Sequence, residues 1–151
     1  MTDGTTNLAD IHAAIPHRAP FLFIDEVVEC DERRIVCRKT FRADEFFFQG
    51  HYPHFPITPG VLLCEAAMQA GALLLSGQFG DRQGVPVATR MNDVRFKRTV
   101  RPGETIEIEV EFVERLADAF FLKAKVSCNQ RVAVRLEFAC TLASFDDAND
   151  R

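Results

Sequence analysis

The chain has 151 residues, 47% of them hydrophobic and 26% charged. That fits one domain able to bury a core without disulfides or metal. Its net charge of −4 argues against general nucleic-acid binding, because counterion release requires a basic surface. The five cysteines (Cys30, Cys37, Cys64, Cys128 and Cys140) show no CxxC spacing and mostly lie in apolar runs. A disulfide framework or zinc site is therefore not expected, and a reducing cytoplasm is the natural compartment.

In chain order, residues 1–10 read as a loose polar tail with neither the basic nor the apolar region of a signal peptide. Phe21–Glu29 is apolar and β-branched without a helix breaker. Ile35–Phe41 follows the charged DERR turn as its hairpin partner. Phe46–Gly60, FFFQGHYPHFPITPG, holds four Phe and three Pro among its residues. It predicts a rigid, apolar, tightly turned loop, since proline fixes φ and glycine permits turns.

Thr58–Gly77 predicts a helix, with Thr58 as N-cap, Pro59 at the first helical position and Gly77 as the stop. Its sequence is apolar around nearly the whole circumference, which predicts burial on all sides. The apolar run Val61–Leu75 is broken by Glu65 and Gln69 and falls short of the ~20 residues that span a bilayer. No membrane insertion is expected.

Thr105–Phe112 alternates strictly, with Ile106, Ile108, Val110 and Phe112 facing one way and Thr105, Glu107, Glu109 and Glu111 the other. Phe120–Cys128 and Val132–Leu142 repeat the period of a half-buried antiparallel strand. Their short connections imply a meander. Cross-strand Lys and Glu on the outer face can pair, although exposed pairs contribute little. Residues 144–151 read as a second tail. The fold class is α+β, one central helix wrapped by an antiparallel sheet. Periodicity alone leaves the strand order open.

Three features carry candidate chemistry, and each has a plainer structural reading. Glu65 and Gln69 stand four residues apart on one helical face. A carboxyl in an apolar site resists ionisation, which suits a general acid; equally, a structural Glu can be held by Gln69. His51 lies in the rigid loop, where a neutral imidazole suits a general base or simply bonds a backbone carbonyl. Gly60 and Val61 open the helix, where free N–H groups and the helix dipole favour a developing oxyanion, yet glycine at a helix start is common. Together the three fit β-elimination of water from a 3-hydroxy thioester: a base for the C2 proton, an acid for the departing hydroxyl, and donors for the thioester oxygen.

The run GHYPHFPITPGVLLCEAAMQ strongly resembles the β-hydroxyacyl-(acyl-carrier-protein) dehydratase family, whose signature reads GHFPxxPxxPGVLxxEAMAQ. IPHRAPFLFID before it and VRFKRTVRPGE after it match as well, so the resemblance covers about residues 11–143. It implies a hot-dog fold, a long helix wrapped by a curved antiparallel sheet. It further implies homodimers with the active sites at the interface, often assembled into hexamers, and His and Glu drawn from different subunits. By position, His51 is the base, Glu65 the acid and Gly60 the oxyanion donor. The Ile57 carbonyl orients His51, and Gln69 orients Glu65. The implied partner is acyl carrier protein, whose phosphopantetheine carries the substrate; no cofactor or metal is implied for the enzyme itself. Arg95, Lys97, Arg98 and Arg101 form a local basic run suited to that acidic partner, or a solvated strand face. His17 and Arg18 match the N-terminal segment and read as loop structure. Tyr52 replaces the usual Phe, His54 a common Gly and Thr99 a common Pro. His51 and His54 lack an evident third metal ligand. The alternatives are an acyl thioesterase of the same fold, a dehydratase that also isomerises the double bond, or a non-catalytic acyl-binding module.

Overall fold

The computed structural model describes residues 7–79 and 84–144. A short helix α1 (Leu8–Ala14) is capped by the Asn7 side chain, which accepts from the Asp10 amide at 3.1 Å. The loose tail expected over residues 1–10 thus gives way to helix from Leu8, because Asn7 satisfies an orphan N–H and Ile11 is fully buried. Residues 1–6 and 145–151, the rest of the two expected tails apart from Ser144, lie outside the described residues.

Strands β1 (Glu26–Cys30) and β2 (Arg34–Thr40) form the expected hairpin. A 3-10 turn at Phe46–Gln49 leads into the proline-rich loop, and α2 (Gly60–Ser76) follows. Then come β3 (Val85–Phe96), β4 (Thr105–Leu116), β5 (Ala119–Cys128) and β6 (Arg131–Ala143). All neighbours are antiparallel in one six-stranded sheet of order β1-β2-β4-β5-β6-β3. The meander β4-β5-β6 is as the alternation predicts. Asn129 and Gln130 turn β5 into β6 with φ of 51° and 65°, the left-handed pair that matches strand twist in a two-residue hairpin.

Strand β3 carries no two-residue alternation in its sequence. It crosses back to pair with β6 as an edge strand, interrupted by irregularities between Ala88 and Arg90 and between Asn92 and Arg95. Strand β1 is shorter than the expected Phe21–Glu29, because the backbone of Phe21 and Phe23 bonds to a side chain of α2 rather than to a strand. On the outer face, Lys123 meets Glu111 at 3.3 Å and Lys125 meets Glu109 at 3.7 Å, the pairs the register places opposite. Hydrogen bonding and charge from Arg34, aided by Lys125, hold the Glu109 carboxyl below the usual carboxylate range.

Helix α2 lies in the concave side of the sheet. Leu63, Cys64, Ala66, Ala67, Ala70 and Leu73–Leu75 are buried there against Ile106, Ile108, Val110, Leu122 and Val126. Two expectations need correction. The helix starts at Gly60 with Pro59 as its cap, and Thr58 bonds nothing through its hydroxyl. Instead Thr58 is buried, and its N–H donates to the Val100 carbonyl at 2.7 Å. Nor is the helix buried on all sides: Val61 is 65% exposed, and Glu65 and Met68, on the same face, are half-buried. Gly77 does end the helix, but with φ −77° rather than in the left-handed region.

Gly71 marks the tightest approach of helix to sheet. A β-carbon there would lie 2.7 Å from the Phe138 ring and 3.4 Å from Leu122. Both neighbours are buried and cannot swing into solvent. A larger residue gains under ~1 kcal/mol of helix propensity against ~1–3 kcal/mol of overpacking. Gly71→Val is therefore expected to lower stability by at least ~1 kcal/mol in urea titration; an unchanged midpoint would show that the contact has room to relax.

Candidate active site

The His51 loop is pinned at both ends. Upstream, Phe47 packs edge-on against Phe41, Phe23, Phe46 and Phe48 with ring centroids 4.6–6.3 Å apart. The Phe47 carbonyl accepts from the His51 N–H at 3.0 Å. Downstream, the Thr58–Val100 bond ties the loop to the segment entering β4. Between these anchors His51 and Ile57 close a ring: Ile57 N–H donates to the His51 carbonyl at 3.0 Å, and the His51 Nδ1 lies 3.0 Å from the Ile57 carbonyl. A carbonyl only accepts, so Nδ1 carries the hydrogen and Nε2 presents its lone pair. The Tyr52 ring stacks on the imidazole, centroids 4.5 Å apart and planes 20° apart. His54 is exposed, and its ring makes no hydrogen bond or ion pair among the described residues.

Gly60 and Val61 are the first two residues of α2. Pro59 has no N–H, and the Leu62 N–H is already bonded to the Pro59 carbonyl at 2.9 Å. The open donors of this helix start are therefore the Gly60 and Val61 amides. A β-carbon at residue 60 would lie 2.7 Å from the Phe96 ring, so glycine lets that ring cover the helix start.

Gln69 is 1% exposed, and its amide is oriented by the backbone. Oε1 accepts from the Phe23 N–H at 2.8 Å. Nε2 must then be the donor, to the Phe21 carbonyl at 2.8 Å and to Glu65 Oε1 at 3.1 Å. Glu65 Oε1 is thus an acceptor, and Oε2 has no partner among the described residues. A second group reaches Glu65 that the sequence reading assigned to loop structure: His17, whose Nε2 stands 3.7 Å from Oε1. No sequence spacing signals this contact, since 48 positions separate the two.

His51 and Glu65 share no hydrogen bond or ion pair among the described residues. Open clefts of about 430 Å³ on the outer sheet and about 660 Å³ at the end of α2 contain neither residue. Arg95, Lys97, Arg98 and Arg101 are all exposed. Arg95 pairs with Asp93 at 3.4 Å, and Arg101 lies over the Phe55 ring at 4.8 Å. Among the described residues no group of three or more His, Cys, Asp or Glu is placed to hold a metal ion.

The Gln69 network predicts a stability effect apart from any activity. Gln69→Leu keeps most of the volume but strips partners from the Phe23 N–H and the Phe21 carbonyl, each worth ~1–3 kcal/mol when left unpaired. A loss of at least ~2 kcal/mol is expected by chemical denaturation; a loss under ~0.5 kcal/mol would mean that other contacts hold this segment.

The model of the FabA-like domain matches residues 15–137. The 3-hydroxyacyl-(acyl-carrier-protein) dehydratase FabZ of Clostridium perfringens is 39% identical over 127 residues, covering 84% of this chain and 91% of that protein. The FabZ of Albidiferax ferrireducens is 38% identical over 146 residues, 94% of this chain and 97% of that one. Among solved structures, the dehydratase heterocomplex ApeI:P from Xenorhabdus doucetiae superposes with a TM-score of 0.76 at 14% identity, covering 93% of this chain and 97% of that one. The PaaI protein of E. coli superposes with a TM-score of 0.62 at 17% identity, covering 76% and 80%. At such identities these two likenesses speak to the hot-dog fold, whereas the sequence matches speak to descent. The chain belongs to the FabA-like domain family, among its 3-hydroxyacyl-(acyl-carrier-protein) dehydratases.

Proposed function

We propose that His51 and Glu65 carry out the family's hydro-lyase reaction, dehydration of a (3R)-3-hydroxyacyl chain on acyl carrier protein to the trans-2-enoyl product in fatty-acid biosynthesis. The observation that carries the assignment is the pair of locked side chains: His51 with a free Nε2, and Glu65 with a free Oε2. His51 Nε2 takes a proton from C2 as base. The C2–H electron pair forms the C2=C3 double bond, and the C3–O bond breaks. Glu65 gives its proton to the leaving hydroxyl, which departs as water. Charge that builds on the thioester oxygen is met by the Gly60 and Val61 amides at the positive end of α2. Proton return from His51 to Glu65 through water resets both groups. No step calls for a cofactor; the phosphopantetheine belongs to the carrier protein.

The working form is a homodimer with each active site built across the interface, which a hexamer of three such dimers would retain. Three features of the single chain support this reading. His51 and Glu65 do not meet. The edge strand β3 leaves Val87, Met91 and Phe96 39–55% exposed, together with unpaired backbone groups of the kind a second strand would satisfy. Val61, beside the helix start, is open as well. The exposed Arg95, Lys97, Arg98 and Arg101 suit docking of an acidic carrier protein. A cytoplasmic location is supported by five free thiols. Burial pushes Cys37 up to about 12 and Cys140 up to about 11, far from reactive thiolates. No described helix is long and apolar enough to cross a membrane.

His51→Ala and Glu65→Gln are each expected to reduce turnover of (3R)-hydroxyacyl-acyl-carrier-protein by at least ~100-fold, the lower end of a general acid–base contribution. Enoyl formation by the purified variants checks this. Full activity in either variant would remove that residue from the reaction, and release of free thiol in place of enoyl product would indicate a thioesterase.

A further inference from the structure

The segment before β1 contributes a histidine that the dehydration as drawn above does not use. Its backbone is held from several sides. The Arg18 guanidinium donates to the carbonyls of Ile15, His17 and His12 at 2.7–2.9 Å, and the Phe21 N–H donates to the Arg18 carbonyl at 2.8 Å. Two residues further on, the Gln69 bonds to Phe21 and Phe23 fasten the same segment to α2. The His17 ring is thereby brought against Glu65, with Nε2 3.7 Å from Oε1. Its other nitrogen, Nδ1, is buried and has no partner among the described residues.

That unpartnered nitrogen settles which protonation state fits. A buried N–H without an acceptor is the costlier orphan, so Nδ1 is the lone-pair nitrogen and the hydrogen rides on Nε2, facing the carboxyl. A doubly protonated ring would bury an N–H with no acceptor. It would also hold Glu65 as a carboxylate counter-ion and so deprive the acid of its proton. Burial lowers the His17 pKa from its ordinary value. The facing Glu65 opposes that shift, and the adjacent Arg18 adds to it. These are the charged groups that face the ring.

We propose that His17 is a positioning residue for the general acid: its Nε2–H and the Gln69 amide both address Glu65 Oε1, fixing that oxygen as acceptor and leaving the transferable proton on Oε2. The 3.7 Å separation is longer than a hydrogen bond. Contacts of this kind tighten when substrate closes the site. The proposal rests on Glu65 being the acid, and it makes the histidine of the IPHR segment part of the active site rather than loop structure.

Two measurements on the full chain test it. In the first, the imidazole nitrogens of His17 are followed by NMR against pH in the wild type and in Glu65→Gln. The expected result is a neutral ring protonated at Nε2, with a midpoint below that of an exposed histidine. The ring is expected to stay neutral with its hydrogen on Nε2 in Glu65→Gln, whose amide oxygen can still accept from it. A hydrogen on Nδ1, or a midpoint at or above that of an exposed histidine, would overturn the proposal whether or not the chain dehydrates anything.

In the second, steady-state dehydration is measured for His17→Ala and His17→Gln. His17→Ala is expected to lower kcat at least ~10-fold with KM within ~2-fold, and His17→Gln, whose amide can donate to Oε1, to recover most of that loss. An unchanged kcat, a change in KM alone, or no difference between the two variants would contradict it. Should the alanine variant fail to fold, the tautomer and midpoint of His17 in the wild type still decide. Absence of enoyl product from the wild type would instead strike at the dehydratase assignment and leave the His17–Glu65 contact to be judged on its own.

Discussion

A polar amide inside an apolar helix must be fully bonded or it is expensive, and much of this molecule follows from how Gln69 meets that demand. Its three partners come from two places: Phe21 and Phe23 in the segment before β1, and Glu65 one turn earlier in α2. One side chain thus does two things. It docks the N-terminal segment, with α1 and His17, across the helix, and it fixes the rotation of the Glu65 carboxyl. Because the Phe23 N–H can only donate, the amide cannot flip. The Glu65 carboxyl inherits its orientation from the backbone, a firmer reference than another flexible side chain would be.

The His51 ring is oriented by the same kind of device. His51 is held by the Ile57 carbonyl within a loop anchored by Phe47 at one end and Val100 at the other. Main-chain atoms thus set the His51 ring directly and the Glu65 carboxyl through Gln69. What the single chain does not do is join them. His51 and Glu65 are each oriented, yet share no hydrogen bond or ion pair among the described residues, and the helix start that offers the Gly60 and Val61 amides lies beside the exposed Val61 and Phe96. An edge strand with exposed Val87, Met91 and Phe96 lies next to this opening. Phe96 at the end of this strand lies against Gly60, and a second subunit is the completion we propose.

Much of this was legible in the sequence where a single physical rule dominates. The alternation of Thr105–Phe112, Phe120–Cys128 and Val132–Leu142 reports a sheet with one dry face, and the Thr-Pro-Gly run reports a helix start to within one residue. The misses share a cause, which is that contacts distant in sequence decided the outcome. VPVATRMNDVRF becomes β3 although it lacks a two-residue period, because it is an edge strand with two register breaks and little burial in the single chain. Phe21–Asp25 has every mark of a strand, yet two of its residues bond to Gln69 instead. Residues 8–10 read as tail because one buried Ile11 and one Asn cap are a weak local signal. His17 reads as a loop residue because nothing near it in sequence reveals a carboxyl 48 positions away. By contrast, the motif GHYPHFPITPGVLLCEAAMQ led to the expected His51–Ile57 and Glu65–Gln69 pairs, and both form within one chain.

The central claim is that each working site takes its base from one subunit and its acid from the other, and it can be tested without new chemistry. His51→Ala and Glu65→Gln chains are refolded together in equal amounts, with two tags to verify mixed assemblies, and assayed for enoyl formation. If the site is shared, half of the dimers are mixed and each mixed dimer has one intact His51–Glu65 pair, so activity should rise to about a quarter of the wild type. Activity no higher than the sum of the two inactive parents, with mixed assemblies present, would mean that both groups act within one chain and would contradict the account.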